Sequence, residues 1–154
     1  MKKIIILFFI IINTLLAYKY NKVASLTLSG DEIILSLLED NRIVGLSGKI
    51  NEDKDVSNVP EKAKKFPKIE NNIETLISLE PDFVVVADWT KKELLLQAEE
   101  IGAKVFVYKT PKNFEEQKQL ILELAKTLEE EEKGKNIIFD MENRLKNLQE
   151  KIKK

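Results

Sequence analysis

The feature that most constrains the fold of this chain is an unbroken run of five apolar residues, Phe83–Ala87. Its length and its valine-rich composition are typical of a β-strand rather than of a helix. A strand with one face in water alternates apolar and polar residues, whereas a strand covered on both faces is apolar throughout. The run therefore predicts a fully buried strand.

Short strand-like and helix-like segments alternate along the rest of the chain. Residues 23–28, 42–46 and 105–108 are rich in strand formers. Four capping-box patterns, in which Ser, Thr or Asn precedes Glu by three residues, predict helix starts. These pairs are Ser29 with Glu32, Asn71 with Glu74, Thr90 with Glu93, and Asn113 with Glu116. The β-α-β-α order predicts an α/β fold: a three-layer, Rossmann-like lobe with a mostly parallel four-stranded sheet and helices on both faces.

The helical segments carry apolar residues at helical spacing, and these residues are expected to face the core. They are Ile33, Ile34, Leu37, Leu38, Ile73, Leu76, Ile77, Leu94, Leu95, Ala98, Ile101, Leu120, Ile121, Leu124 and Leu128. In contrast, residues 47–70 show no periodic pattern and contain Gly48, Pro60 and Pro67. This segment is predicted to be a long surface connection, and such loops in compact domains are often functional.

Both ends of the chain differ from this central pattern. Residues 1–17 join the positive Lys2 and Lys3 to an apolar run and end on the small residue Ala17, as a secretory signal peptide does. The alternative is an uncleaved N-terminal anchor. Near the other end, a narrow apolar stripe on a charged background predicts a long C-terminal helix. The stripe consists of Ile137, Met141, Leu145, Leu148 and Ile152.

The composition argues against most enzymes and against nucleic-acid binding. The 154 residues include no cysteine and no histidine, which is the commonest acid–base group and transition-metal ligand. The five glycines form neither a dinucleotide-binding fingerprint nor a phosphate-binding loop. The 25 basic residues are spread among 26 acidic ones and form no cluster that would bind nucleic acid. We therefore expect no catalytic residue, no bound metal ion, no cofactor and no nucleic-acid partner.

In a parallel sheet, ligands bind beyond the carboxyl ends of the strands. The residues expected there are Ser29, Ser47, Gly48, Lys49, Asp88, Trp89, Thr90, Lys109 and Thr110. Trp89, the only tryptophan, could cover an edge of the core or offer a platform to a flat ligand, and its spacing leaves both interpretations open. Ser29 could bind an anion at a helix start, but Asp31 and Glu32 already supply negative charge there. Glu74 is, by spacing alone, a capping residue.

Several segments of the sequence together resemble a known family. In chain order they read KVASLTLSGDEIILSLL, NRIVGLSG, PEKAKKFPKI, NIETLISLEPDFVVVADW and IGAKVFVY. This series is similar to the N-terminal lobe of the periplasmic substrate-binding proteins of ABC importers, in the group that delivers cobalamin, haem and iron-siderophores. The resemblance covers about residues 22–154, and NIETLISLEPDFVV is its most specific part.

The resemblance implies two α/β lobes joined by one long helix, with a solute held between the lobes. Residues 22–132 would form the N-terminal solute-binding lobe and residues 133–154 the start of the connecting helix, with the second lobe absent. Glu74 matches the glutamate that meets arginines of the membrane permease. The predicted solute contacts are Trp89, Asp88, Thr90, Lys49 and Ser29. The loop of Lys49 departs from the family because it lacks an aromatic residue, which leaves the solute class open.

The leading hypothesis is an exported solute-binding lobe for an iron-siderophore, haem or cobalamin-type ligand. It would be soluble in the periplasm, because no cysteine is present for lipid attachment. Its partners would be the permease, a chelated-metal or corrinoid-type solute, and either a separate C-terminal lobe or a second copy of the chain. The alternative is an interaction module that binds no ligand and self-associates through its C-terminal amphipathic helix. An enzyme of Rossmann-like build is the weakest hypothesis.

Overall fold

The structure is a computed structural model that describes residues 18–48, 60–69 and 73–152. The predicted signal peptide at residues 1–17 and the predicted solute contact Lys49 lie outside the described residues. Six helices, one 3-10 turn and four strands follow one another along the described chain. They are β1 (Val23–Ser25), α1 (Leu28–Leu37), the 3-10 turn (Asp40–Arg42), β2 (Ile43–Gly45), α2 (Pro60–Ala63), α3 (Ile73–Leu79), β3 (Phe83–Ala87), α4 (Lys92–Glu100), β4 (Lys104–Tyr108), α5 (Phe114–Thr127) and α6 (Glu131–Ile152).

The four strands form one sheet in the order β2-β1-β3-β4, and every neighbouring pair is parallel. The register places Val23 of β1 and Lys104 of β4 on either side of Phe83 in β3. All five residues of β3 are fully buried, as the sequence predicted for a central strand. The predicted α/β fold with a parallel sheet is confirmed.

Helices cover both faces of the sheet, because alternate side chains of a strand point to opposite sides. Phe83, Val85 and Ala87 of β3 pack into one apolar cluster with residues of α1, α5 and the first half of α6. Val84 and Val86 pack into a second cluster with residues of α3 and α4. The lobe therefore has the three predicted layers, followed by the predicted long C-terminal helix. None of the helices in the described part of the chain is both long and apolar enough to cross a membrane.

Helix α1 begins earlier than its capping-box pattern predicted. Thr27 is the N-cap residue, and its hydroxyl oxygen accepts a hydrogen bond from Gly30 N at 3.2 Å. The prediction that Ser29 caps the helix is wrong, because the strand already ends at Ser25, whose Oγ donates to Thr27 O. Helix and sheet approach closely at this point, since a Cβ on Gly30 would lie 2.5 Å from Ser25 Oγ.

The other helix starts show which capping signals operate in the folded chain. Asn113 caps α5 as predicted, and its side-chain oxygen accepts from Glu116 N at 2.9 Å. The prediction of a Thr90 cap is wrong, because α4 begins at Lys92, one residue later than a Thr90 cap requires, and its N-cap Lys91 makes no side-chain capping bond. The predicted cap at Asn71 lies outside the described residues. A polar residue followed by Glu is therefore a helix signal, but its exact position is set by the neighbouring strand and turn.

Residues 60–69 pack against the sheet, although the sequence predicted only a surface connection there. Leu46 N donates to Pro67 O at 3.0 Å, and Ile69 N donates to Leu46 O at 2.7 Å. Ala63 and Ile69 are buried. The apolar residues of this segment are too few to show the spacing of a helix or a strand. The sequence pattern therefore did not predict that the segment packs on the sheet. A second error concerns Ile77 in α3, which was predicted to face the core but is 48% exposed.

The guanidinium group of Arg42 joins the start of the lobe to the start of α6. Its Nη1 donates to Glu130 Oε1 at 2.7 Å, and both groups are almost fully buried. Its Nε and Nη2 donate to Tyr20 O at 3.1 and 2.8 Å, and Nη2 also donates to Leu128 O at 3.0 Å. The ring of Tyr18 lies 3.7 Å from the guanidinium carbon. Glu130, Tyr20 and Leu128 thus supply three acceptors around one planar group. The fork of N–H donors of an arginine can bond to all three, whereas the ammonium group of a lysine cannot.

Helix α6 runs from the amino edge of the sheet past its carboxyl edge. It starts beside Glu130, which Arg42 holds next to the residues that precede β1 and β2. Close packing guides it along α5, because a Cβ on Gly134 would lie 2.6 Å from Ala125 Cβ. At the other edge, its Arg144 lines a groove together with Ser29 at the start of α1. The last eight residues of α6, which span about 12 Å, therefore project beyond the sheet.

We expect Arg42→Ala to lower the free energy of unfolding by roughly 3–5 kcal/mol, because it leaves the Glu130 carboxylate buried without its main partner. Arg42→Lys should recover only part of this loss, since one ammonium cannot bond to Glu130, Tyr20 and Leu128 together. The measurement is urea denaturation followed by circular dichroism. The matched control is Arg144→Ala on the exposed side of α6, which should change stability by less than about 0.5 kcal/mol. Equal stabilities of the two alanine variants would contradict this account.

Candidate functional site

The carboxyl ends of the four strands meet at one edge of the sheet, because all of the strands are parallel. We call this edge the rim. It consists of the segments that follow the strands, which are residues 26–30, 46–48, 88–91 and 109–112. The predicted contacts Ser29, Asp88, Trp89 and Thr90 all lie on the rim, as do Ser47, Gly48, Lys109 and Thr110. The architecture thus brings together residues that are far apart in the sequence.

Trp89 follows β3 directly, and its side chain is 62% exposed. The indole therefore does not cover the core, which was one of the two interpretations that its sequence position allowed. The turn beneath it is fixed by the backbone: Asp88 N donates to Tyr108 O at 2.8 Å, and Thr90 N donates to Ala87 O at 3.0 Å. The lobe consequently presents a large aromatic surface at the end of its central strand.

Tyr108 and the start of α1 form a polar contact across the rim that the sequence did not indicate. The Tyr108 hydroxyl lies 2.8 Å from Thr27 Oγ1, and both side chains are buried. Burial raises the pKa of Tyr108 above its usual value, against the opposing effect of hydrogen bonds with Thr27 and with the exposed Ser29. The one available signal was a hydroxyl-bearing aromatic at the carboxyl end of a strand. The contact fixes the position of Ser29 relative to β4.

Asp31 is a buried carboxylate that joins α1 to the end of β2. Its Oδ1 and Oδ2 accept from Ser47 N at 3.1 and 3.2 Å, and Oδ2 also accepts from Ser47 Oγ at 2.5 Å. Burial raises the pKa of Asp31 to about 7, although the hydrogen bonds with Ser47 and Ser25 oppose this shift. The sequence suggested that Asp31 serves mainly as negative charge at the helix start, whereas the folded chain uses it to hold the loop that leads toward Lys49.

A cavity of about 320 Å³ lies beside Trp89, between the starts of α3 and α4. Three apolar side chains and five partly polar ones line it: Leu26, Ile73, Leu94, Trp89, Thr90, Lys91, Glu93 and Gln97. The hydroxyl oxygen of Thr90 is buried and has no hydrogen-bond partner among the described residues. The volume of the cavity is at the lower end of the range for small-molecule pockets.

A larger groove of about 640 Å³ lies on the opposite face of the sheet, between α1, α5 and α6. Its floor is apolar and includes Ile33, Ile121 and Met141, while its margins carry the charged Glu32, Asp140 and Arg144 among other polar groups. Ser29 belongs to this groove as well as to the rim. The groove therefore opens toward the same end of the lobe as Trp89.

Glu74 is the second residue of α3, and its side chain is exposed. Its predicted capping partner, Asn71, lies outside the described residues. Within residues 18–48, 60–69 and 73–152 there is no group of three or more carboxylates that could hold a metal ion. The described part of the site thus offers an aromatic surface, hydroxyl groups and single charges.

We expect the Asp31→Asn variant to gain stability relative to the native chain as the pH rises. The pKa of Asp31 in the folded chain, about 7, lies above the usual 3.8, so the fold is more stable with Asp31 protonated. The free energy of unfolding of the native chain therefore falls as the pH rises from 3.8 to about 7 and Asp31 loses its proton. The native free energy of unfolding should fall by roughly 4 kcal/mol relative to the variant. Urea denaturation across this pH range measures the difference, with exposed Asp140→Asn as the matched control. A constant difference would contradict the assigned burial effect.

The sequence and the fold of this chain are similar to those of known proteins. A family model described as periplasmic binding protein matches residues 23–154. No relative was found among curated protein sequences. Among solved structures, a protein of Staphylococcus epidermidis described as a possible iron-binding, periplasmic solute-binding protein is 22% identical with a TM-score of 0.70. That match covers 84% of this chain and 50% of the other.

Two further structures of similar fold are described as periplasmic haem-binding proteins. The protein from Pseudomonas aeruginosa is 19% identical with a TM-score of 0.68, covering 83% of this chain and 45% of that one. HutB of Vibrio cholerae is 21% identical with a TM-score of 0.67, covering 84% and 49%. The chain spans about half the length of these structures. Because the family model matches nearly all of the described chain, the protein belongs to the periplasmic binding protein family.

Proposed function

We propose that this chain is an exported solute-binding lobe of an ABC importer for an iron-siderophore, haem or cobalamin-type ligand. The observation that carries the proposal is the family match over residues 23–154 on a lobe whose exposed indole stands at the carboxyl edge of its sheet. The related structures described as haem-binding or as iron-binding proteins support the haem and iron part of this ligand class. The lobe would bind its solute without chemical change.

The solute would lie on the rim against Trp89, with Asp88, Thr90 and Ser29 as polar contacts and the Lys49 loop beside it. One rim supplies one wall, whereas ligand sites bury most of a ligand's surface. A second wall is therefore needed, and α6 points to where it would stand. Residues 22–132 would be the lobe and residues 133–154 the beginning of a connecting helix, whose projecting end would meet a C-terminal lobe.

The remaining parts of the proposal concern export and the membrane partner. Residues 1–17 would direct the chain to the periplasm as a cleaved signal peptide, and the chain would remain soluble there rather than become a lipoprotein. Glu74 would meet arginines of the permease, because it is exposed at the start of α3, close to the rim.

A second candidate function is self-association without a ligand, and the far end of α6 favours it. Leu145 is 38% exposed, Leu148 56% and Ile152 83%. These residues continue the stripe whose earlier members, Ile137 and Met141, pack on the lobe. An exposed apolar stripe of this kind is typical of an interaction surface. Light scattering separates the two functions, since a monomer at all concentrations would remove the basis of this one.

We expect Trp89→Ala to weaken solute binding about tenfold or more, because a flat ligand loses its aromatic contact. Equilibrium dialysis with haem, a ferric siderophore and cobalamin measures this, both for the chain alone and with the C-terminal lobe of a relative added. Leu96→Ala on α4, which also removes an exposed apolar side chain, is the matched control. If none of the three solutes binds, either to the chain alone or with the C-terminal lobe added, the proposed function is refuted.

Glu74→Gln should weaken capture of the chain by its permease in detergent, because it removes the charge that arginines would contact while it preserves the shape of the side chain. Glu99→Gln is the matched control, since Glu99 is an exposed glutamate on the neighbouring α4. Co-purification at low and high salt is the measurement, and the difference between the variants should shrink at high salt. Identical capture of both variants at low salt would exclude Glu74 from the docking surface.

A further inference from the structure

The apolar stripe of α6 continues past the part of the helix that the lobe covers. Ile137 and Met141 pack on the lobe, whereas Leu145, Leu148 and Ile152 are exposed. From Met141 onward the intervals between stripe residues are four, three and four, which is the spacing of the apolar seam in a coiled coil. The exposed end of the stripe therefore has the pattern that packs against another helix.

The groove between α1, α5 and α6 adjoins the covered part of this stripe. Met141 belongs to both, because it lines the groove and is also the last stripe residue that packs on the lobe. The groove has a volume of about 640 Å³, and Ile33 and Ile121 contribute to its apolar floor. A helix that lies along the exposed end of the stripe would therefore reach the groove at Met141.

The lobe itself decides in which direction a second α6 helix can lie against the first. A parallel helix in register would also have to contact Ile137 and Met141, and the lobe already covers that part of the stripe. Such a helix would collide with the lobe. An antiparallel helix overlaps only the exposed end, places its own tip in the groove and extends away from the lobe beyond the rim.

The spacing of the stripe also sets the register of an antiparallel pair. Intervals of four, three and four residues read the same in both directions, so Leu145 of one copy lies opposite Leu148 of the other. The same register places Met141 opposite Ile152. The overlap is about 18 Å long, and a two-fold axis repeats each contact, so one surface serves both copies.

The charge at the margin of the groove fits the tip of α6. Among the described residues that line this margin, Asp140 and Glu32 are acidic and Arg144 is basic. Lys151 is exposed near the end of α6 and would lie at this margin in the antiparallel register. The margin carries more negative than positive charge, so it attracts a lysine of a second copy.

From these features we infer that the exposed stripe and the groove bind a second copy of this chain, with the two α6 helices antiparallel and the tip of each in the groove of the other. The inference rests on self-association, the second candidate function, and not on the importer assignment. Each helix would enter the groove from beyond the rim, past Ser29, which belongs to both. A C-terminal lobe that used the same stripe would have to displace the second copy.

Analytical ultracentrifugation over a range of concentrations measures the dimer. Leu148→Glu should weaken dimerisation about tenfold or more, because the symmetry places two carboxylates in the apolar contact. Phe139→Glu is the matched control, since Phe139 is exposed on the same helix but lies half a turn from Leu148. It should change the dissociation constant less than about twofold. A native chain that stays monomeric, or equal effects of the two substitutions, would overturn the inference.

Disulfide trapping tests the direction and register of the helices, because the chain contains no cysteine of its own. The variants Leu145→Cys and Leu148→Cys are mixed and oxidised in air. The antiparallel register predicts that position 145 of one copy bonds mainly to position 148 of the other, since a disulfide forms only between neighbouring Cβ atoms. Disulfides mainly between identical positions would mean parallel helices and would contradict the inference.

Charge substitutions test the contact between the tip and the groove. Asp140→Lys should weaken dimerisation at low salt, because it places a positive charge beside Lys151 of the second copy, and the effect should shrink at high salt. Glu150→Lys is the matched control, since it makes the same change of charge at an exposed position outside the stripe and the groove. Equal effects of the two substitutions at low salt would show that the tip does not lie in the groove.

The outcome for this interface can be told apart from the outcomes for the proposed functions. A dimer that Leu148→Glu does not weaken would keep self-association and refute this interface alone. Trp89→Ala, which tests solute binding, should leave the dimer unchanged, so failure of the importer assignment would not affect the interface. If the chain alone is monomeric and the added C-terminal lobe of a relative binds the stripe, that lobe is the occupant and the inference is wrong.

Discussion

The buried ion pair between Arg42 and Glu130 is the interaction on which the geometry of the candidate site depends. A buried pair of this kind contributes little net free energy, but it excludes alternative arrangements in which either charge would be left alone. Here it fixes where α6 starts relative to β1 and β2, and the contact of Gly134 with Ala125 then fixes the direction of the helix. The lobe and the helix that leaves it therefore form one rigid unit at their junction.

Much of the fold could be predicted because its strongest signals are local. The Phe83–Ala87 run is buried on both faces, and a strand in that environment must be apolar throughout, so composition alone identifies it. Asn113 caps its helix as predicted, since its side-chain oxygen accepts from Glu116 N. Ser29 and Thr90 do not cap their helices. Thr27 caps α1 instead, and α4 begins at Lys92, after a turn in which Thr90 N donates to Ala87 O. Local patterns thus predict the presence of helices better than their first residues.

The candidate site could be predicted only in outline. Parallel strands place their carboxyl ends together, so the position of Trp89 on the rim followed from the order of elements. The bond between Tyr108 and Thr27 and the burial of Asp31 against Ser47 could not be predicted, since each joins residues from different strands and helices. Such contacts depend on the directions of individual side chains, which the spacing of apolar residues in the sequence does not predict. The cavity beside Trp89 was missed for the same reason.

The length and attachment of α6 have a mechanical consequence. A helix of 22 residues is about 33 Å long, and the first half of this one, through Met141, packs on the lobe. The remaining half acts as a lever arm: a bend of roughly 5° near Met141 would displace its tip by about 1.4 Å. Any body attached to that tip inherits this motion, so the packing of Ile137 and Met141 on the lobe sets how steadily the arm can point.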